Sequence, residues 1–301
     1  MNEGLKSEAL REALRMALAG KPTALEDMMC RQGGGNSPRP NLRLAAAFGA
    51  EMAALRGTVG PLLLRLGADD AAPDMPQVFL PIAAVYGWVG RLRAGMDIDR
   101  AWPALADLAA DERAPVRLGA RDALSSFALR AGGGDMLVSR ALGWLDDEDR
   151  ERRFGTAALV VEVVANRQVL AAIEDLPALL DYLTRAIATV AGASRSAERS
   201  DHRRRLLASL PATLAAVAVG LGGDQRGAAW LEAECREARH PEVREALSTA
   251  ILRSRANKVD GQSAAVIARL RAALEGSAKP PRDPTRKRPG TDRGKASRRM
   301  K

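Results

Sequence analysis

The chain has 301 residues, of which 3% are aromatic, so no large ring-filled core is available, and alanine-rich stretches take its place. Two cysteines, Cys30 and Cys235, exclude a disulfide framework and suit a reducing, cytoplasmic setting; the longest apolar run, 206–222, is short, alanine-rich and broken by Pro211, which excludes a membrane span. The net charge of +9 is unevenly placed: residues 277–301 hold ten Lys or Arg against two Asp, which leaves the first 276 residues at +1.

In chain order, residues 5–19 predict an amphipathic opening helix with Leu5, Leu10, Leu14 and Leu18 on one face, and its charged start does not read as a signal peptide. A second helical stretch ends at Met28-Met29-Cys30, and Gly33–Pro38 reads as a flexible turn. From there a short pattern returns six times: a turn residue or proline, a small residue or valine, then usually arginine, opening an Ala/Leu-rich helix. The arginine slot falls at Arg43, Phe79, Arg117, Arg153, Arg205 and Arg244, at spacings of 36, 38, 36, 52 and 39 residues. Self-similarity at such a period predicts stacked helix pairs.

The apolar register supports this. Counted from the residue before the slot, positions +4, +7, +8 and +11 should face inward on a helix. From Val116 they are Ala120, Ala123, Leu124 and Phe127; from Val78 they are Ile82, Val85, Tyr86 and Val89; from Val243 the first three are Leu247, Ala250 and Ile251. The Leu42 copy gives Ala46, Gly49, Ala50 and Ala53, the Arg152 copy departs with Thr156 before Leu159, Val160 and Val163, and the Arg204 copy carries Pro211, which predicts a kinked or shortened helix. Pro40, Pro76, Pro115 and Pro241 stand where a first helical turn tolerates a missing N–H, and Asp111, Asp147 and Asp201 precede their helices as cap or turn residues.

The pattern Asp…Pro-x-Val-Arg-x-x-Ala-x-x-Ala-Leu resembles the second helix of a HEAT (armadillo-like) repeat over residues 37–255, most clearly at 111–124 and 240–251. The resemblance implies an all-α, right-handed solenoid. It also implies an Asp–Arg ladder between neighbouring repeats, with Asp111/Arg117 and Asp147/Arg153 as pairs. Arg244 has no matching Asp, and Phe79 breaks the ladder at the second copy.

The 52-residue spacing predicts an insertion of about fourteen residues centred on 191–205, a place where solenoids often carry a binding loop. Arg195, Arg199, His202, Arg203, Arg204 and Arg205 make it the most basic segment of the body and a candidate contact for phosphates or an acidic partner. A last helix over 264–274 caps the array, so residues 1–276 form one solenoid domain. The tail 277–301, with Arg286, Lys287 and Arg288, is too polar to fold alone and is expected to be disordered.

No chemistry stands out. The two histidines, His202 and His240, lack a neighbouring nucleophile motif, Cys235-x4-His240 lacks the other ligands of a zinc site, and the glycine clusters are not phosphate loops. Neither a cofactor nor a metal is expected. Trp102, Trp144, Asp147, Arg150, Arg152 and Arg153 give a weaker resemblance to AlkD-type HEAT-like DNA glycosylases, which implies recognition of alkylated bases. The expected function is a non-enzymatic scaffold whose concave face holds another protein, the tail adding electrostatic affinity; the alternative is nucleic-acid binding through the tail and the 191–205 segment.

Overall fold

The computed structural model describes residues 3–220, 225–256 and 261–277. Helix follows helix throughout: α1 (Glu3–Leu18), α2 (Thr23–Gly33), α3 (Leu42–Ala54), α4 (Gly60–Gly67) and α5 (Phe79–Arg93) make up the first third. Next come α6 (Ile98–Ala109), α7 (Ala114–Ala128), α8 (Gly133–Trp144), α9 (Arg150–Val164) and α10 (Arg167–Ala171). The last are α11 (Leu176–Ala191), α12 (Asp201–Gly220), α13 (Gln225–Glu237), α14 (Pro241–Ala256) and α15 (Gly261–Gly276). Two 3₁₀ turns, Pro76–Val78 and Arg195–Arg199, complete the described elements, and no strand occurs among them.

The six slot-bearing helices form one layer. In it α3 packs on α5, α5 on α7, α7 on α9, α9 on α12 and α12 on α14. Other helices back this layer: α4 meets α6, and α8, α11, α13 and α15 follow one another in contact. The chain is therefore an all-α solenoid, in which each layer of helices is amphipathic only in combination with its neighbours. Among the described residues no helix is long and apolar enough to cross a membrane.

The sequence register holds where it is strongest. Ala120, Ala123, Leu124 and Phe127 of α7 are buried, as are Ile82, Val85, Tyr86 and Val89 of α5 and Leu247, Ala250 and Ile251 of α14. Thr156 of α9 is buried as well, and its hydroxyl donates to the carbonyls of Arg152 and Arg153, which satisfies it inside the helix. In α3 the register is displaced, and in α12 it holds at Pro211 and Ala215 but not at Ala208. The core face of α3 is Ala45, Phe48 and Met52, while Ala46 and Ala50 are exposed; in α12 the buried apolar set includes Leu206, Leu210, Leu214 and Val217, while Ala208 is exposed. Alanine on both faces leaves little contrast to read. Pro211 does not shorten its helix, since α12 runs its twenty residues through it.

The long fourth spacing has two sources. The short helix α10 packs against α9 and α12, and the turn Arg195–Arg199 packs on α12. The insertion is thus split between 167–171 and the segment before Asp201, and residues 201–205 belong to the first turn of α12, not to a loop. The Gly33–Pro38 segment is also tighter than a flexible turn. A β-carbon at Gly33 would lie 2.1 Å from the Phe79 ring, and one at Gly35 would lie 2.4 Å from the Phe79 amide. Only glycine lets this segment lie against the start of α5.

Turn chemistry sets the helix starts. Asn41 caps α3 by accepting from the Leu44 amide at 3.2 Å, and Asp175 caps α11 through the Ala178 amide at 3.0 Å. Asp111 and Asp147 accept the amides two residues on, at 2.7 and 2.9 Å, so both shape the turn into the next slot helix, and Asp149 caps α9 itself.

Candidate interaction groove

The α3–α5 contact is made by backbone. A β-carbon at Gly90 of α5 would sit 2.1 Å from the Gly49 carbonyl oxygen of α3, and one at Gly49 would sit 2.6 Å from the Tyr86 carbonyl oxygen. With no side chain between them, the two helices approach closely, and α5 is buried on nearly every face. Because α5 is recessed, the exposed edges of α3 and α7 stand above it as walls.

The result is a groove of about 330 Å³. Tyr86, Val89 and Gly90 of α5 make its floor, Ala46 and Ala50 of α3 one wall, and Asp122 and Ser126 of α7 the other. The displaced register of α3 is what turns Ala46 and Ala50 outward into it. Two polar pairs cross the floor. Tyr86 donates its hydroxyl to the Asp122 carboxylate, and Arg93 donates to the Ser126 hydroxyl. Burial pushes the Tyr86 phenol well above the usual tyrosine range, and its bond to Asp122 adds to this, so it stays a protonated donor. Burial and the nearby Arg130 pull Arg93 below the usual arginine value.

The end of the α3 wall is held by an arginine from the floor helix. Arg91 is buried, pairs with Asp97 at 2.7 Å, and donates to the carbonyls of Met52 at 3.2 Å, Leu55 at 2.6 Å and Gly57 at 3.3 Å. It thereby supplies partners to carbonyls that the end of α3 leaves without helical donors.

The expected Asp–Arg ladder takes another form. Asp111 pairs with Arg113 at 2.6 Å, and Asp147 with Arg152 at 3.3 Å. In both cases a nearer guanidinium reaches the carboxylate before the slot arginine does. Arg117 instead donates to the main-chain carbonyls of Asp111 at 2.8 Å and Glu112, and Arg244 to that of Ala238 at 3.4 Å and of Leu274 at 2.8 Å. Arg117 and Arg244 each reach the carbonyl six residues back, so they lock the turn that enters their own helix. Arg153 has no such bond, and its Nε is buried without a hydrogen-bond partner.

Cross-repeat pairing exists, with different residues. Arg11–Glu51, Arg65–Glu26, Arg185–Asp146 and Arg203–Glu242 join positions 40, 39, 39 and 39 residues apart, about one repeat.

The basic segment is largely neutralised by these bonds. Arg203 is buried and held by Glu242, Arg204 pairs with Asp201, and Arg205 makes a two-pronged bond to Glu162 at 2.7 and 2.8 Å. Arg199 is exposed at the end of the second 3₁₀ turn, and Arg195 lies in the same turn. The sequence reads these arginines as one basic inserted loop; the fold separates the buried from the exposed and gives the last three a carboxylate each. Arg286, Lys287 and Arg288, with the tail from 278 on, lie outside the described residues.

The tryptophans pack into the helix stack. Trp102 of α6 meets Phe127 of α7 edge-on at 5.8 Å and Trp144 of α8 at 5.9 Å, so the rings staple three consecutive helices. Arg152 is occupied by Asp147 and, at 3.1 Å, by Asp107. Arg150 and Arg153 line a cavity that neither tryptophan enters, so the residues of the glycosylase-like reading are not brought together. Among the described residues no group of three His, Cys, Asp or Glu side chains is placed to hold a metal.

No family model matches the chain, and no curated protein matches it. Among solved structures, a designed armadillo repeat protein aligns with 83% of this chain and 99% of its own, at 17% identity and a TM-score of 0.29. At that score the assignment to a helical-repeat solenoid rests on the layer contacts of this chain.

Proposed function

We propose that this chain is a HEAT-like, non-enzymatic scaffold of the cytoplasm that holds a segment of another protein in the groove over α5. The carrying observation is the groove itself: a recessed, small-residue channel crossed by Tyr86–Asp122 and Arg93–Ser126, on the layer formed by successive slot helices. Alanine and glycine walls admit a backbone closely and suit short apolar side chains. The Asp122 carboxylate and Arg93 guanidinium of the two pairs that cross the floor suit the amides and carbonyls of an extended chain. The basic tail, with Arg286, Lys287 and Arg288, adds long-range attraction for an acidic partner.

The test is capture of a partner from the native lysate with the full chain, its identification, and titration of the purified partner. Ala50→Trp fills the groove from an exposed wall position, and it is expected to weaken binding at least roughly tenfold while the helical circular dichroism is unchanged. Replacing Arg286, Lys287 and Arg288 by Ser is expected to slow association and flatten its salt dependence. Full affinity in Ala50→Trp refutes the groove as the site. Salt-sensitive binding of DNA or RNA, with no protein captured, refutes the scaffold reading in favour of nucleic acid.

A further inference from the structure

A second cavity, of about 530 Å³, lies between the first turn of α9 and the second half of α11. Arg150 and Arg153 enter it from α9, Arg185 and Thr189 from α11, and Ser194 from the turn beyond; Phe154 forms an apolar side. No carboxylate is among the residues that line it.

The carboxylate pairing of these arginines differs from that of their neighbours, although a buried donor without a partner occurs on Arg152, Arg203 and Arg205 as well. Arg113, Arg152, Arg203, Arg204 and Arg205 each hold a carboxylate. Arg150 is hydrogen-bonded only to neutral hydroxyls, Ser194 at 3.2 Å and Ser196 at 3.1 Å, while Glu151 stands 3.7 Å from its buried Nε, an ion pair without a hydrogen bond. Arg153 brings a buried Nε with no partner. Arg185 is tied to Asp146, which is mostly solvent-exposed and free to be exchanged for another anion. An anion in the cavity would meet the guanidiniums of Arg150, Arg153 and Arg185 with no lining carboxylate to compete for them.

We infer that this cavity binds a phosphate monoester. Three guanidiniums facing one space present donors in planar forks, the arrangement suited to a doubly charged tetrahedral oxyanion. The cavity is larger than a bare phosphate, and Phe154 and Leu145 offer apolar contact to the organic part of the ester. A polynucleotide fits the surroundings poorly. The chain around Arg150 carries Asp146, Asp147, Glu148, Asp149 and Glu151, which repel a string of diesters but leave room for one terminal group. The site is separate from the groove over α5 and stands or falls independently of it.

The experiment is isothermal titration of the full chain with inorganic phosphate, O-phosphoserine and glucose 6-phosphate. A short single-stranded oligonucleotide without terminal phosphates is titrated in parallel. Saturable binding of at least one phosphate species is expected, with a tenfold or greater loss in Arg153→Gln and in Arg185→Gln. Arg152→Gln, outside the cavity, should bind normally. Preference for phosphoserine identifies a phosphorylated side chain as the source, preference for the sugar phosphate a free metabolite, and equal binding of all three the phosphate alone. Absence of saturable binding in the native chain, binding unchanged in both Arg153→Gln and Arg185→Gln, or tighter binding of the oligonucleotide each overturns the inference. Because Arg185 is partly exposed and contacts an exposed aspartate, its variant keeps the test decisive even if Arg153→Gln does not fold.

Discussion

Gly90→Ala should destabilise the fold although alanine is the better helix former. Relative to glycine, alanine in a helix interior gains about 0.8–1.0 kcal/mol. Against this, the new methyl would meet the Gly49 carbonyl oxygen at 2.1 Å, its carbon at 2.9 Å and its α-carbon at 3.3 Å. All three are backbone atoms, so no side-chain rotation relieves the clash. Ordinary carbon contacts lie near 3.5–4.0 Å, so α3 and α5 must part by roughly 1 Å or more. Overpacking of this kind typically costs about 1–3 kcal/mol and here, against main chain, belongs at the upper end. The net expectation is a loss of about 2 kcal/mol, which is a fall in melting temperature of about 3–4 °C for a chain of this size. Gly143→Ala in α8 is the control, since nothing lies within 4 Å of its β-carbon position. It should leave stability unchanged or raise it by up to about 1 kcal/mol. Urea unfolding followed at 222 nm measures both. If Gly90→Ala is as stable as the native chain, the α3–α5 backbone contact does not exist as described, and the recessed floor of the groove goes with it.

Arg91→Met removes the donor to three main-chain carbonyls and leaves Asp97 without its cation. Breaking such a buried pair should cost about 3–5 kcal/mol in the same urea assay, and a loss under 1 kcal/mol would contradict its role. His202 gives a pH dependence. Burial first, then Arg117 and Arg205, hold its pKa below the ordinary 6.5. As pH falls through 6.5 the unfolded imidazole takes up a proton that the native one resists, so native stability declines toward acid. The slope from this one group is at most about 1.4 kcal/mol per pH unit. Over pH 7 to 5, His202→Gln should show the shallower decline of the two proteins, and an equal or steeper slope in the variant would reverse the assignment.

How legible was this in the sequence? The slot helices were, because Val116, Ala120, Leu124 and Phe127 repeat a spacing that only a helix buried on one side requires. The register failed in α3 and held only in part in α12, where alanine stands on both faces and hydrophobicity no longer distinguishes inside from outside. Ala46 and Ala50 were read as core and are groove wall. The charged residues were the least legible. Arg203 and Arg205 look like one basic run, yet their carboxylates come from Glu242 and Glu162, 39 and 43 positions away. No local pattern marks such a partner. The ladder inferred from resemblance placed the slot arginines on Asp111 and Asp147, whereas arginines closer in sequence claim both. The groove was invisible for the same reason that it exists: two glycines, Gly49 and Gly90, each unremarkable alone, face one another across a repeat. The cavity beside Arg150 had a sequence trace in the excess of arginine over nearby partners. That trace became readable only when geometry showed which arginines were already occupied.

The packing order of the helices has a consequence for how the molecule is made. In the main contacts each helix touches partners no more than three elements away along the chain. Closing so short a loop is entropically mild, and such topologies assemble quickly. On a ribosome, each new pair emerges onto a surface that its predecessor has already formed, and no early segment waits for the end of synthesis to bury its apolar face. Among the most extensive contacts the longest wait is the join of α9 to α12, which needs α10, α11 and the second 3₁₀ turn to be translated first. A nascent chain that stalls between those two helices presents the apolar flank of α9 uncovered, and this is the point in synthesis where a chaperone has most to do.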